Sequence, residues 1–188
     1  LKITNYAHFL FGKQGVDPYL ENANSVWLLH WLLTTNKQYT LYYWIFNLYN
    51  KSSFTKVRLI TELIDFYQDE KSHSTNTINL DFDTLVKSYT SHTLKKISSY
   101  EELIACPFSE LSLVNKKNAT EYNLRRESRQ TLSDELFIFA LIQFWHKTSN
   151  ARTMTFGHIQ DSEISPGRIF RLDENDLAGR IIKIAELT

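Results

Sequence analysis

The sequence predicts a mainly α protein: a helical domain with two helix-turn-helix or winged-helix-like units and one or two short β-hairpins. Three observations carry this reading. Apolar residues recur at helical spacing, as at 27, 28, 31 and 32, at 42, 45, 46 and 49, and at 78, 82, 85, 86 and 89. Two helical stretches, 54–68 and 75–89, are separated by a short charged turn, and the C-terminal third reads helix, short strand, helix, turn, helix. Between them, 113–124 has the composition of a hairpin.

The chain has 188 residues, enough for one large domain or two small ones. We divide it at 97/98, into an aromatic helical part and a winged-helix-like part, with one continuous domain as the alternative. Charges balance at 21 basic and 21 acidic residues, so global charge does not announce a nucleic-acid partner. The single cysteine, Cys106, excludes an internal disulfide and fits a reducing compartment, so a cytoplasmic location is expected. No signal peptide is expected.

Val26–Tyr49 organises the rest. It holds Trp27, Trp31 and Trp44 with Tyr39, Tyr42, Tyr43, Phe46 and Tyr49. Both halves have helical spacing, and the polar run 34–38 separates them, so a buried helix pair is expected. Each large aromatic hides roughly 150–250 Å², so this pair nucleates the core. His30 and the polar run interrupt the apolar stretch short of the roughly 20 residues a membrane span needs. His30, between Leu29 and Trp31, reads as a core histidine with a satisfied hydrogen bond.

The other elements follow in order. Lys2–Gly12 is a short helix ended by Gly12 and Gly15, and Ser25 is the expected cap of the first aromatic helix. Phe54–Gln68 is amphipathic, with 57, 60, 63, 64 and 67 inward. Thr75–Tyr89 is a helix whose outward side carries Thr77, Asn79 and Lys87; with its predecessor it forms the first helix-turn-helix-like unit, though a plain helical hairpin has the same pattern. Short helical turns are expected at 100–105 and 108–113. Leu113–Lys116 and Glu121–Leu124 pair as a hairpin. From Lys116 to Arg129 there are five basic residues, Lys116, Lys117, Arg125, Arg126 and Arg129, against two acidic ones, suited either to phosphate contact or to a solvated loop. Ser133–Thr148 is a helix capped by Ser133, Thr153–Phe156 a short strand, Gly157–Asp161 a helical turn, and Asp173–Leu187 a last amphipathic helix capped by Asp173. Ser165–Arg168 is a tight turn, with Gly167 chosen for its tolerance of positive φ and Arg168 projecting toward the DNA backbone or pairing with Asp161 or Glu163.

Known catalytic motifs are absent. There is no GxxxxGK[ST] or GxGxxG loop, no CxxC, no HExxH and no GxSxG. Asp81 and Asp83 point to different sides of a helix, and Glu101 and Glu102 are adjacent, so spacing nominates no convergent carboxylates for a metal-dependent nuclease. Catalytic residues and metal ligands are therefore unassigned.

Several segments are together distinctive: DPYLENANSVWLLHWLL at 17–33, FTKVRLITELIDFY at 54–67, TINLDFDTLVKSY at 77–89, CPFSEL at 106–111 and SPGRIFRL at 165–172. They resemble, in the same order, a bacterial domain family of initially unknown function, the SspB-like family of DNA phosphorothioation and phage-defence operons. The resemblance implies a DNA-binding part of a DNA nickase, a divalent metal if nicking requires one, and as partners DNA, other subunits of a DNA sulfur-modification system and a second copy of the chain, with no membrane. A non-enzymatic scaffold that docks partner subunits through the aromatic core or the last helix is the alternative. The chain starts at Leu1 and lacks the glycine-rich GVGKN-like segment of such proteins, so it is expected to be a piece of the family domain that stops where a wing would begin. The DNA contacts expected are Thr77, Asn79, Lys87, Lys116, Lys117, Arg125, Arg126, Arg129 and Arg168.

Overall fold

A computed structural model describes residues 4–67, 74–90 and 106–186. Their elements run α1 (Asn5–Phe11), α2 (Ala23–Thr34), α3 (Thr40–Asn47), β1 (Ser53–Thr55), α4 (Lys56–Phe66), α5 (Thr75–Tyr89), a 3-10 helix (Pro107–Leu111), β2 (Asn115–Lys116), β3 (Glu121–Asn123), α6 (Asp134–Thr148), α7 (Phe156–Asp161), α8 (Pro166–Ile169) and α9 (Glu174–Glu186). The fold is mainly α with a small antiparallel sheet of order β1-β3-β2. The helical turn expected at 100–105 and the connection at 68–73 lie outside the described residues.

Most helices begin where a short polar side chain accepts a backbone N–H that the helix itself cannot satisfy. Thr4, Thr55, Ser74, Ser133, Thr155 and Ser165 play this part. Asp173 does so for α9, accepting from Asp176 N–H at 2.8 Å. Asn22, not Ser25, caps α2, because the loop before it is already held by Asp17. The Asp17 carboxylate accepts from the N–H groups of Glu21 at 2.9 Å and Asn22 at 3.1 Å, and that fixes the turn at Asn22.

The hairpin forms as expected, with Asn115 opposite Asn123 and Lys116 opposite Tyr122. Its third strand was not expected. Ser53–Thr55 pairs with Glu121–Asn123, and Phe54 stacks on Tyr122 at 5.4 Å. Helix α4 follows directly and turns Leu59, Ile60 and Leu63 inward; Ile60 and Leu63 were expected there, whereas Val57 and Ile64, also expected inward, are exposed. Thr153–Phe156 forms no strand: Thr155 caps α7 and Phe156 is its first residue.

One buried cluster draws on both halves of the chain, from Trp27, Trp31, Phe46 and Tyr89 to Phe137, Phe144 and Phe170. His30 lies inside it, fully buried, edge-on to Trp27, Phe46 and Tyr89. The carbonyl of Ile169 can only accept, so Nε2 of His30 carries the proton and donates to it at 3.1 Å; Nδ1 accepts from the Tyr89 hydroxyl at 2.7 Å. Burial holds the imidazole neutral, with its pKa pushed down to about 3. Asn47 closes the same region: its amide donates to Thr34 O and Tyr43 O and accepts from Ile164 N–H.

Candidate nucleic-acid interface

Two backbone contacts hold the basic segment, one to the residue before β1 and one to the turn after α8. Leu124 N–H donates to Ser52 O at 2.8 Å, and Glu127 N–H to Arg171 O at 3.0 Å. Arg125 and Arg126 are therefore laid between β1 and the turn that follows α8. Arg125 is exposed and has no ion pair among the described residues. Arg126 pairs with Asp161 at 2.6 Å and donates to Gln160 O at 3.3 Å. Arg168 donates to Asp161 O at 2.9 Å and to the side chain of Asn50. Arg171, 5% exposed, donates from one nitrogen to Ile45 O and Tyr49 O at the end of α3. Lys116 and Lys117 stand exposed on the neighbouring hairpin, Lys117 bound to Glu121 at 2.9 Å.

The cluster is under electrostatic load. Desolvation, then the nearby Arg126, lowers the pKa of Arg168. Arg171 is pushed down to about 9, first by burial and then by Arg168, Arg126 and Arg129. The Nε atoms of Arg168 and Arg171 are buried and meet no acceptor among the described residues. Arg171 also sits at φ 53°, a left-handed conformation that costs a non-glycine residue about 1 kcal/mol or more.

Not every expected contact residue reaches this face. Arg129 is 4% exposed and is removed from it: the guanidinium donates to Arg125 O at 3.0 Å, Phe170 O at 3.2 Å and Ser112 O at 3.3 Å. Its hydrogen bonds are spent on the backbone that shapes the basic segment, so it is a clamp and not a phosphate ligand. Beside it, Arg180 bridges Asp134, Asp176 and Arg129 O. On α5, Thr77 and Lys87 are exposed and Asn79 is half-buried, its amide donating back to Thr75 O. At 3.6 residues per turn Thr77 and Asn79 point about 160° apart, and exposed Asp83 stands on the same outward half, paired with Lys56.

Arg168 was expected to project from a glycine-permitted turn. Instead Ser165 caps a one-turn helix with Pro166 at its start, and no glycine has positive φ among the described residues. Gly167 is needed for room: a Cβ there would lie 2.7 Å from Gln160 Cα. The contributions of Arg171 and Asn50 escaped the sequence reading. The three-residue spacing Arg168–Arg171 was the only local signal; Asn50 reaches the site from far away in the chain.

A helical protein with a buried aromatic centre and an arginine cluster beside a small sheet is the class these features define. Over its whole length, residues 1–188, the chain matches the family described as "Protein of unknown function (DUF4007)", and it belongs to that family. It is similar to SspB in two crystal structures. One is magnesium ion-bound, with a TM-score of 0.82 and 29% identity; the other has a TM-score of 0.82 and 28% identity. Both matches cover 96% of this chain and 55% of SspB, so the chain spans about half the length of that protein. No curated protein matches the chain. Among the described residues no group of three or more His, Cys, Asp or Glu is placed to hold a metal ion, and no helix is long and apolar enough to cross a membrane.

Proposed function

We propose that the chain is a DNA-binding module of a DNA phosphorothioation system, as its similarity to SspB supports. The face formed by Lys116, Lys117, Arg125, Arg126 and Arg168 rests on the phosphate backbone, and Asn79, Lys87 and Thr77 on the outward half of α5 extend the contact. The observation that carries this is the concentration of arginine on one face of a chain with no net charge. By the same likeness we place it in a DNA-nicking protein that works in the cytoplasm with other subunits of the sulfur-modification machinery. Magnesium belongs to the SspB structure; we assign no ligand for it here.

A groove of about 670 Å³ favours a second reading, a docking scaffold. It lies between α1, α2 and α6 and is lined by Tyr6, Phe9, Val16, Leu28, Leu136 and Phe139. The aromatic core itself cannot dock a partner, since Trp27 and Trp31 are buried.

The test is duplex binding by fluorescence anisotropy. Lys116→Ala, Lys117→Ala and Arg125→Ala combined change only exposed side chains. Affinity should fall roughly 10- to 100-fold, alike for all DNA sequences, because phosphate contacts carry no base information. Unchanged affinity removes this face from the site.

A further inference from the structure

We infer that Arg126 and Arg168, backed by the buried charge of Arg171, form a seat for one phosphate group, and that the Asp161 carboxylate occupies this seat in the free protein as a built-in competitor. Only the source of the phosphate rests on the DNA-binding reading above.

The geometry argues for an anion site whose present occupant is replaceable. Arg126 holds the Asp161 carboxylate at 2.6 Å while Arg168 holds the backbone carbonyl of the same residue at 2.9 Å. One residue thus bridges the two guanidiniums, and its side chain is 61% exposed while that of Arg126 is 27% exposed. A phosphate can therefore arrive from solvent at the point where the carboxylate sits. The fork of a guanidinium accepts two oxygens in one plane, which phosphate supplies as readily as carboxylate.

The charge balance points the same way. Among the described residues the other acid acting on Arg168 is Glu163, which accepts from the Tyr43 hydroxyl and pairs with Lys37 at 3.3 Å. Among the described residues, Lys37, Arg126, Arg168 and Arg171 therefore meet two carboxylates, Asp161 and Glu163. Arg171 cannot move out to relieve this, because its guanidinium is anchored on Ile45 O and Tyr49 O. Two positive charges remain over, so a phosphate group, which carries close to two negative charges, balances the seat better than the single Asp161 carboxylate it would displace.

The experiment follows thermal unfolding of the chain in sodium phosphate against sodium chloride at equal ionic strength. The phosphate Kd is read from the dependence of Tm on phosphate concentration. Asp161→Asn keeps the shape and removes the competitor. It should melt lower than the wild type in chloride, recover in phosphate, and bind phosphate about tenfold more tightly; Arg126→Gln should bind it about tenfold more weakly. If Asp161→Asn melts equally low in both salts, or Arg126→Gln binds phosphate as the wild type does, the pair is structural and the seat is refuted. A DNA arm separates the sources. Tighter duplex binding by Asp161→Asn supports the seat with a backbone phosphate as its ligand. Phosphate rescue with unchanged duplex affinity supports the seat with free phosphate or a terminal ester as its ligand, and overturns the DNA reading of this face.

Discussion

Arg129→Ala separates the two kinds of arginine in the basic segment. The wild-type guanidinium, buried and held below its usual pKa chiefly by desolvation, donates to the carbonyls of Arg125, Phe170 and Ser112 and lies 3.6 Å from Glu127. Truncation takes the guanidinium from the carbonyls of Arg125 and Phe170, while Ser112 O keeps the Asn115 side-chain amide at 3.1 Å, and it opens space beneath Phe170. Hydrogen bonds from a charged donor contribute about 1.5–3 kcal/mol each, and the longer two fall at the low end. With relaxation allowed for, the loss is about 3–5 kcal/mol, the range expected for breaking a buried charged network. For a chain of 188 residues that is a fall in Tm of roughly 6–20 °C at about 2–4 °C per kcal/mol. Arg125→Ala, which removes an exposed side chain, should stay within about 0.5 kcal/mol of the wild type. Thermal unfolding followed by circular dichroism measures both. An Arg129→Ala variant that melts with the wild type yet loses DNA affinity would show that Arg129 is a ligand after all and overturn its assignment as a clamp.

Two further outcomes follow from the core. His30 is held neutral at a pKa of about 3 against an ordinary 6.5, so the unfolded chain takes up its proton first as pH falls. The stability this neutral histidine lends is intact above pH 6.5 and is lost at roughly 1.4 kcal/mol per unit from there down toward pH 3. The urea midpoint should therefore drop between pH 6.5 and 5, above the range where ordinary carboxylates titrate, and a flat profile there would contradict the buried, neutral assignment. Gly167→Ala places a methyl group 2.7 Å from Gln160 Cα and 2.9 Å from Ile159 O, both backbone atoms that cannot swing aside. It should cost about 1–3 kcal/mol, visible as an earlier urea midpoint, and a neutral result would mean that α7 and α8 separate freely.

How much of this the sequence revealed depends on the range of the interaction. Ser133 and Asp173 were legible as caps because a cap is decided within three residues. The inward set of α5 was legible because Ile78, Phe82, Leu85 and Tyr89 repeat at helical spacing. The core role of His30 could be anticipated from the aromatic residues beside it. Strand β1 was not legible: its partner is about seventy residues away, as in Ser53 opposite Asn123, and three residues carry no period of their own. The same distance hid the site. Nothing local distinguishes Arg125 from Arg129, yet one faces solvent and the other is buried beneath Phe170 and Ser112. Asp161 and Arg126 are joined by a fold that brings α7 against the segment after β3.

The salt dependence of duplex binding tests the central claim most directly. Each phosphate neutralised releases counterions, so log Kobs falls with log salt at a slope of about −0.9 per contact. Contacts by Lys87, Lys116, Lys117, Arg125, Arg126 and Arg168 predict a slope of roughly −5 for the wild type, and one close to −3 after the Lys116, Lys117 and Arg125 side chains are removed, because the Lys87, Arg126 and Arg168 contacts remain. Binding that is indifferent to salt, or absent with duplex DNA while a protein partner is still held, would contradict the DNA-binding account and leave the apolar groove between α1, α2 and α6 as the working surface.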